Sequence, residues 1–169
     1  QVYQARRILE SEGRRITNLV YMGMGEPLDN LEAVVASCER LNDSEGFGMS
    51  PRRITISTSG LIPGIQELGD RLNVNMAISL NASNDTVRDQ VIPINRKYPI
   101  EELVKVMRDW PRDRRQKVTV EYVLLGGVND RLEHANELIT LLRRMEIRIN
   151  LIPFNPYPGA LFERPTDDD

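Results

Sequence analysis

Residues 21–27, Tyr-Met-Gly-Met-Gly-Glu-Pro, place two glycines, an acid and a proline directly after a short apolar run. Gly23 and Gly25 allow the backbone to bend tightly and to approach a bound molecule closely. Glu26 adds a carboxylate beside main-chain N–H groups that such a bend exposes. This turn suits a ligand that carries both an amino group and a carboxylate. The same residues could form only a strand-to-helix connection, because glycine and proline are common in loops.

Small polar residues follow the later apolar segments in the same way. Ser57–Gly60 closes the second segment, Ser79 and Asn81 close the third, and Asn150 and Asn155 follow the last. Because the carboxyl ends of parallel strands meet at one edge of a sheet, we expect these side chains to share one rim. Hydroxyls, amides and carboxylates without a histidine would hold a zwitterionic, ribose-containing ligand by hydrogen bonds.

These polar residues also have simpler interpretations. Ser57 and Thr58 could merely end a strand, and Ser79 and Asn81 belong to residue types that favour turns. Glu121 is harder to explain in this way, because a carboxylate inside a buried-looking strand is costly unless it is paired. The sequence therefore favours a site or a partner for Glu121.

The rim depends on strands and helices that alternate along the chain. Apolar segments rich in β-branched residues predict five strands, at Thr17–Met22, Arg53–Thr58, Asn75–Leu80, Val118–Leu125 and Arg148–Ile152. Apolar residues at helical spacing predict helices between them, at Leu31–Leu41, Ile62–Leu72, Thr86–Val91, Ile100–Trp110 and Leu132–Met145. Right-handed crossovers then imply a parallel α/β sheet. Asp29-x-x-Glu32 and Asp130-x-x-Glu133 resemble capping boxes.

Composition indicates a single globular domain rather than a uniformly basic nucleic-acid binder. The chain has 169 residues and a net charge of −3. Arginine nevertheless outnumbers lysine 19 to 3 and forms doublets such as Arg14-Arg15, Arg52-Arg53, Arg114-Arg115 and Arg143-Arg144. The planar arginine fork favours phosphate, although a compositional bias on solvated faces would give the same pattern.

Cysteine usage and hydropathy indicate a reducing compartment, and we expect a cytoplasmic protein. Cys38 is the one cysteine, so the chain has no internal disulfide and cannot by itself hold an iron–sulfur cluster or a zinc ion through cysteines. No apolar run approaches the ~20 residues that cross a bilayer.

Five motifs in order resemble one known family over almost the whole chain. They are 21–27, 52–60 (Arg-Arg-Ile-Thr-Ile-Ser-Thr-Ser-Gly), 77–80 (Ala-Ile-Ser-Leu), 91–98 (Val-Ile-Pro-Ile-Asn-Arg-Lys-Tyr) and 150–159 (Asn-Leu-Ile-Pro-Phe-Asn-Pro-Tyr-Pro-Gly). Together they resemble the adenosine-methylating branch of the radical-SAM enzymes, the RlmN/Cfr group. Each motif alone is weak, and the ordered set is specific.

The resemblance implies a particular chemistry. Family members hold a [4Fe–4S] cluster on three cysteines, accept electrons from a flavodoxin-like donor and cleave S-adenosylmethionine to a deoxyadenosyl radical. A methyl group carried on a further cysteine is then transferred to adenine in ribosomal RNA, at carbon 2 or carbon 8 of the ring, and in the RlmN branch also in transfer RNA. By motif, the S-adenosylmethionine contacts carried over to this chain are Gly25, Glu26, Ser57, Ser79, Leu80, Asn81 and Asn155.

Two departures from the family pattern qualify these expectations. Asn81 replaces the usual histidine of a Ser-Leu-His motif, so a proton-transfer role at this position is in doubt. The cluster loop and both reactive cysteines are absent from residues 1–169. We therefore expect residues 1–165 to form the central part of a partial (β/α) TIM-like radical-SAM barrel, catalytically silent alone, with a disordered tail at 166–169.

Further expectations concern partners and alternatives. Arg96 and Lys97 are candidate RNA phosphate contacts. Without the first strand of the barrel, the sheet edge beside Thr17–Met22 would be unpaired and prone to self-association. The alternatives are the core of another radical-SAM enzyme, such as an activase, and a non-redox α/β module that binds an adenosyl ligand or RNA.

Overall fold

The computed structural model describes residues 1–111 and 118–166. Their centre is a sheet of five parallel strands whose spatial order, β1-β2-β3-β4-β5, follows the order along the chain. The strands are β1 (Leu19–Tyr21), β2 (Ile54–Thr58), β3 (Asn75–Ser79), β4 (Val118–Leu124) and β5 (Ile147–Pro153). The predicted α/β fold, a partial barrel, is confirmed.

Helices connect the strands. They are α1 (Val2–Ser11), α2 (Leu31–Asn42), α3 (Ile62–Arg71), α4 (Asp85–Val91), α5 (Ile100–Asp109) and α6 (Leu132–Leu141). Short 3₁₀ turns occur at Pro27–Asn30, Pro51–Arg53 and Pro93–Arg96. In the ranges 1–111 and 118–166, none of the helices combines the length and apolarity that a membrane crossing requires.

Strand residues alternate between a buried outer face and a more open inner face. On β4, Val118, Val120 and Tyr122 are buried against the helical layer, whereas Glu121 is half-buried. Alternation with a period of two is the normal geometry of a strand. The apolar core therefore lies between sheet and helices, and Glu121 is on the inner face rather than in that core.

Three sequence expectations need correction. Helix α6 ends at Leu141, short of the predicted Met145, and Arg144 follows with a positive φ of 65°. The cap of α2 is Asn30 without a side-chain bond, and Arg131, not Asp130, caps α6. Both predicted capping boxes are wrong, because each helix begins one residue later than the pattern requires.

Strand β1 is an edge strand within the described residues, because it pairs with β2 only. Self-association through this edge stays a prediction. Of the predicted tail, residues 167–169 lie outside the described residues, as do Arg114 and Arg115.

Arg88, on α4, fixes the carboxyl ends of β2 and β3. Its guanidinium is fully buried and donates to the main-chain oxygens of Leu80 (3.1 Å), Ser59 (2.7 Å) and Ser79 (3.3 Å). A further bond of 3.0 Å reaches Oδ1 of Asn95. Burial lowers the pKa of Arg88 to about 10, against the opposing effect of Asp85 and Asp89. The guanidinium therefore remains charged at neutral pH.

We expect Arg88→Met to lower the free energy of unfolding by about 3–5 kcal/mol, because it leaves buried carbonyl groups without donors. Denaturant unfolding followed by circular dichroism measures the change. Arg96→Met, on the exposed side of the adjacent turn, is the matched control and should stay within about 0.5 kcal/mol of the parent. Equal stability of the two variants would contradict this role of Arg88.

Candidate functional site

A cleft of about 730 Å³ lies where the carboxyl ends of the strands meet, and it is called the strand-end cleft below. It is lined by main chain and small polar side chains from the loops after β1, β2 and β3, by two carboxylates, and by apolar side chains that include Met22, Met24 and Val123. Of the predicted site residues, it brings together Gly25, Glu26, Ser57, Ser79 and Asn81.

The glycine turn leaves its backbone open to the cleft. Gly23 and Gly25 have φ values of 135° and 93°, which L side chains rarely adopt. A Cβ atom added at either position would have no heavy atom within 4 Å. Conformation rather than crowding therefore requires these glycines, and the open space beside them is available to a ligand.

Glu26 joins this turn to the end of β2. Its Oε2 accepts from the main-chain N and the Oγ of Ser59, both at 2.8 Å, and its Oε1 accepts from the N of Leu28 at 3.1 Å. A carboxylate offers about four acceptor positions, so one remains for a ligand donor. The half-buried carboxylate is thus pre-oriented by the protein.

The second carboxylate of the cleft belongs to Glu121. Glu121 pairs in register with Ser79 on one side and with Asn150 on the other. Asn150 Nδ2 donates to Glu121 Oε2 at 2.7 Å, while Oε1 has no partner among the described residues. The Ser79 hydroxyl likewise has none. Both groups can therefore bond a ligand without breaking an internal bond.

Asn81 has a structural role that its sequence position does not reveal. Its φ is 54°, a left-handed conformation that asparagine tolerates better than most residues. Oδ1 of Asn81 accepts from the N of Val123 at 2.8 Å, and its carbonyl accepts from Nδ2 of Asn129 at 2.8 Å. Asn81 therefore holds the end of β3 against β4 while it lines the cleft.

Two predicted site residues do not line the cleft. The Leu80 side chain is fully buried on the outer face of β3, so any ligand contact from Leu80 must come from its main chain. Asn155 is exposed and follows β5 at the sheet edge. The preceding residue, Phe154, donates its N–H to the carbonyl of Leu124 at 3.0 Å.

The predicted RNA contacts Arg96 and Lys97 are exposed at the turn after α4. Lys97 Nζ lies 5.2 Å from the centre of the Tyr98 ring. The turn itself is fixed by buried Asn95, whose Nδ2 donates to Asp85 at 2.9 Å and to Asp89 at 2.7 Å. Arg96 and Lys97 therefore belong to a turn whose conformation is fixed by these hydrogen bonds.

Sequence reasoning missed two residues that organise the cleft, Arg88 and Asn129. Asn129 is buried, its Oδ1 accepts from the N of Leu125 at 2.7 Å, and its Nδ2 donates to the carbonyls of Asn81 and Val123 at 2.8 Å each. The only sequence signal for Arg88 is its position between Asp85 and Asp89, which is equally typical of a solvated helix. Neither residue has a recognisable motif.

Other parts of the molecule are less suited than the strand-end cleft to be the functional site. A cavity of about 740 Å³ between α3 and α5 lies in the outer helical layer, away from the strand ends. Cys38 is fully buried on α2. Among the described residues, no group of three or more His, Cys, Asp or Glu side chains is arranged to hold a metal ion.

Comparison with known proteins now gives the family. The sequence profile described as the radical SAM superfamily matches residues 2–139, well over half of the chain. The chain belongs to the radical SAM superfamily. The resemblance inferred from the five motifs is confirmed. Membership of the radical SAM superfamily argues against the alternative of a non-redox binding module.

Curated relatives narrow the similarity within this radical SAM superfamily. A protein of Methylobacterium radiotolerans named "Dual-specificity RNA methyltransferase RlmN" is 52% identical over 152 residues, which is 89% of this chain and 36% of that protein. A protein of the same name from Nautilia profundicola is 46% identical over 99% of this chain and 48% of its own length. The chain thus spans between about a third and a half of these relatives.

A solved structure agrees with the assignment to the radical SAM superfamily. The crystal structure of a radical SAM methyltransferase from Sphaerobacter thermophilus superposes with a TM-score of 0.93 at 45% identity. The match covers 99% of this chain and 49% of that one. The partial barrel is therefore a recurring arrangement and not a peculiarity of this chain.

Replacing Asn81 should be costly even without a ligand. We expect Asn81→Ala to lower the free energy of unfolding by about 1–3 kcal/mol, because it removes the acceptor of the Val123 N–H. Ser79→Ala, at the same rim but without an internal hydrogen bond, is the control and should change stability by less than about 0.5 kcal/mol. Thermal and denaturant unfolding measure both. Indistinguishable variants would show that Asn81 has no such role.

Proposed function

We propose that this chain is the S-adenosylmethionine-binding core of a radical-SAM RNA methyltransferase. As part of a protein of the relatives' length, it would methylate carbon 2 of an adenosine in ribosomal RNA and also act on transfer RNA. The observation that carries the proposal is the convergence of the Gly23–Glu26 turn with Ser57, Ser79 and Asn81 on one cleft. The similarity to the dual-specificity RNA methyltransferases supports the choice of substrate class.

In this proposal the cleft binds S-adenosylmethionine, which supplies the methyl group. The remaining acceptor position of Glu26 receives the ligand's ammonium group, and the main chain at Gly25 approaches its amino-acid end. The hydroxyls of Ser57 and Ser79 and the amide of Asn81 bond the remaining polar groups. Leu80 contributes through the second acceptor position of its main-chain oxygen, because the first accepts from Arg88 and its N–H donates to the Glu121 carbonyl. Asn155 closes the rim from the end of β5.

Glu121 joins this set as a proposed contact to the ribose. A carboxylate accepts hydrogen bonds and donates none when ionised, and a ribose diol offers two donors. Oε1 of Glu121 is the acceptor left open, since Asn150 occupies Oε2. Ser79 and Asn150 stand at the same register level, so the ribose would meet one polar row across three strands.

The residues of this chain do not fit the iron–sulfur cluster that the superfamily implies. The single cysteine, Cys38, is buried in the apolar core on α2. Cluster ligands are therefore proposed to come from elsewhere in a full-length protein. The role left to this chain is to orient S-adenosylmethionine.

RNA contacts and surroundings complete the proposal. Arg96 and Lys97, exposed on the rigid turn after α4, are proposed to bind RNA phosphates. A flavodoxin-like protein is the proposed electron donor, and the cytoplasm is the proposed location.

The function is tested with full-length protein incubated with S-adenosylmethionine, a reductant and RNA transcripts. We expect a 2-methyladenosine product, identified by mass spectrometry of digested RNA, from both ribosomal and transfer RNA. Arg96→Ala with Lys97→Ala should weaken RNA binding and reduce the slope of log affinity against log salt by about two, since two phosphate contacts are lost. Absence of any methylated adenosine, with S-adenosylmethionine cleaved normally, would refute the methyltransferase assignment in favour of another radical-SAM reaction.

The role of Glu121 is tested by truncating the ligand. Glu121→Ala should weaken binding of 5′-deoxyadenosine by about tenfold, as expected for a hydrogen bond to a charged group. It should have little effect on 2′,3′,5′-trideoxyadenosine, which lacks both ribose hydroxyls. Glu133→Ala, exposed on α6 outside the cleft, is the control. An equal loss for both ligands, measured by equilibrium competition, would contradict the contact to ribose.

A further inference from the structure

Three arginine doublets precede strands at one end of the sheet. Arg14-Arg15, Arg52-Arg53 and Arg143-Arg144 lie shortly before β1, β2 and β5 respectively, while Arg6-Arg7 belong to α1 and Arg114-Arg115 lie outside the described residues. The strands are parallel, so their starts share the end of the sheet opposite to the strand-end cleft. The doublets therefore belong to a different surface from Arg96 and Lys97.

One arginine from each of two of these doublets lines a groove of about 470 Å³, called the basic groove. Strands β1 and β2 are neighbours, which brings Arg15 and Arg53 to the same groove, and α1 adds Arg6. Ser50 supplies a hydroxyl and Phe47 an aromatic wall. Three arginines and one acidic residue, Glu10, thus line one concave surface of a chain whose net charge is −3.

The three guanidinium groups differ in how they are held. Arg6 is fixed, with Nε 2.7 Å from Glu10 Oε1 and its guanidinium carbon 5.2 Å from the centre of the Phe47 ring. Arg15 and Arg53 are exposed, and no carboxylate of the described residues forms an ion pair with either. Their donors are free to bind an anion from solution.

Helix electrostatics does not explain this cluster. Cations stabilise the last turn of an α-helix, and the effect fades beyond that turn. Arg53 ends a 3₁₀ turn rather than an α-helix, and Arg15 lies beyond Ser11, the last residue of α1. A binding role accounts for the arrangement better, because uncompensated like charges that face one groove repel each other.

We propose that the basic groove binds backbone phosphates of folded RNA, as a second contact remote from the strand-end cleft. The arginine fork pairs with phosphate in a bidentate manner, which suits two free guanidinium groups beside a hydroxyl. The choice of RNA rests on the proposed function; the phosphate chemistry rests on the groove alone.

The two surfaces are separated by the length of the sheet. Strands of five to seven residues are roughly 20 Å long at about 3.3 Å per residue. A single strand of about two or three nucleotides that places its adenosine in the cleft would be too short to reach the groove, whereas a folded RNA with several helices would reach it. The groove therefore favours structured substrates over short oligonucleotides.

The experiment compares two double variants that remove the same charge. Arg15→Gln with Arg53→Gln removes two of the positive charges that line the basic groove. Arg143→Gln with Arg144→Gln removes the doublet before β5, which does not line the basic groove. Binding of folded transfer RNA and of a short single-stranded RNA is measured by fluorescence anisotropy over a range of salt concentrations. Thermal unfolding is recorded for each variant.

We expect the groove variant alone to lose about tenfold in affinity for transfer RNA and about two units of salt slope, with short-strand binding unchanged. Arg15→Lys with Arg53→Lys keeps both charges but removes the bidentate fork, so it should keep the salt slope while losing part of the affinity, and the thermal unfolding data guard against a folding defect. Equal losses in both glutamine variants, or no loss in either, would overturn the proposal. Transfer RNA bound through the groove but never methylated would refute the proposed function and leave the groove standing.

Discussion

The contact of Arg88 with the strand ends is the constraint on which the strand-end cleft depends. One buried guanidinium donates to three main-chain oxygens at the ends of β2 and β3. Burying a charge is costly, and here the cost is offset by hydrogen bonds and by the nearby carboxylates of Asp85 and Asp89. If these two strand ends spread apart, Ser57 and Ser79 would no longer face one ligand.

Polar side chains form similar links, called ties below, between each remaining pair of neighbouring strands. Glu26 with Ser59 ties the loop after β1 to β2. Asn81 and Asn129 tie β3 to β4, and Asn150 with Glu121 ties β4 to β5. The ties that involve β1, β2 and β3 lie at the carboxyl ends of those strands, whereas the Asn150–Glu121 bond lies within the β4–β5 ladder, which continues to Leu124 and Pro153. Polar side chains therefore link neighbouring strands on the cleft side of the sheet.

The sequence predicted the five strands and the residues that face the cleft because both leave a local signal. Period-two and period-3.6 patterns separate strand from helix, and polar residues stand out at strand ends. Arg88 and Asn129 leave no such signal, because their partners are main-chain oxygens brought near only by folding. Glu121 was recognised as unusual, but the choice between a site and a partner needed Asn150 and the open Oε1. Leu80 was predicted from a motif to contact the ligand, but a motif does not reveal which side of the sheet a side chain occupies, and the Leu80 side chain is buried away from the cleft.

The agreement between strand order and chain order has a consequence for how the protein acquires its structure. Each strand–helix unit packs on the one before it, so every sheet contact joins consecutive units, although paired residues such as Leu19 and Ile54 are far apart in sequence and parallel pairing of this kind forms slowly. The ties obey the same rule, since each joins only adjacent strands. During synthesis the sheet can therefore grow one unit at a time from the N-terminal side, and each polar tie can close as soon as its own unit has emerged.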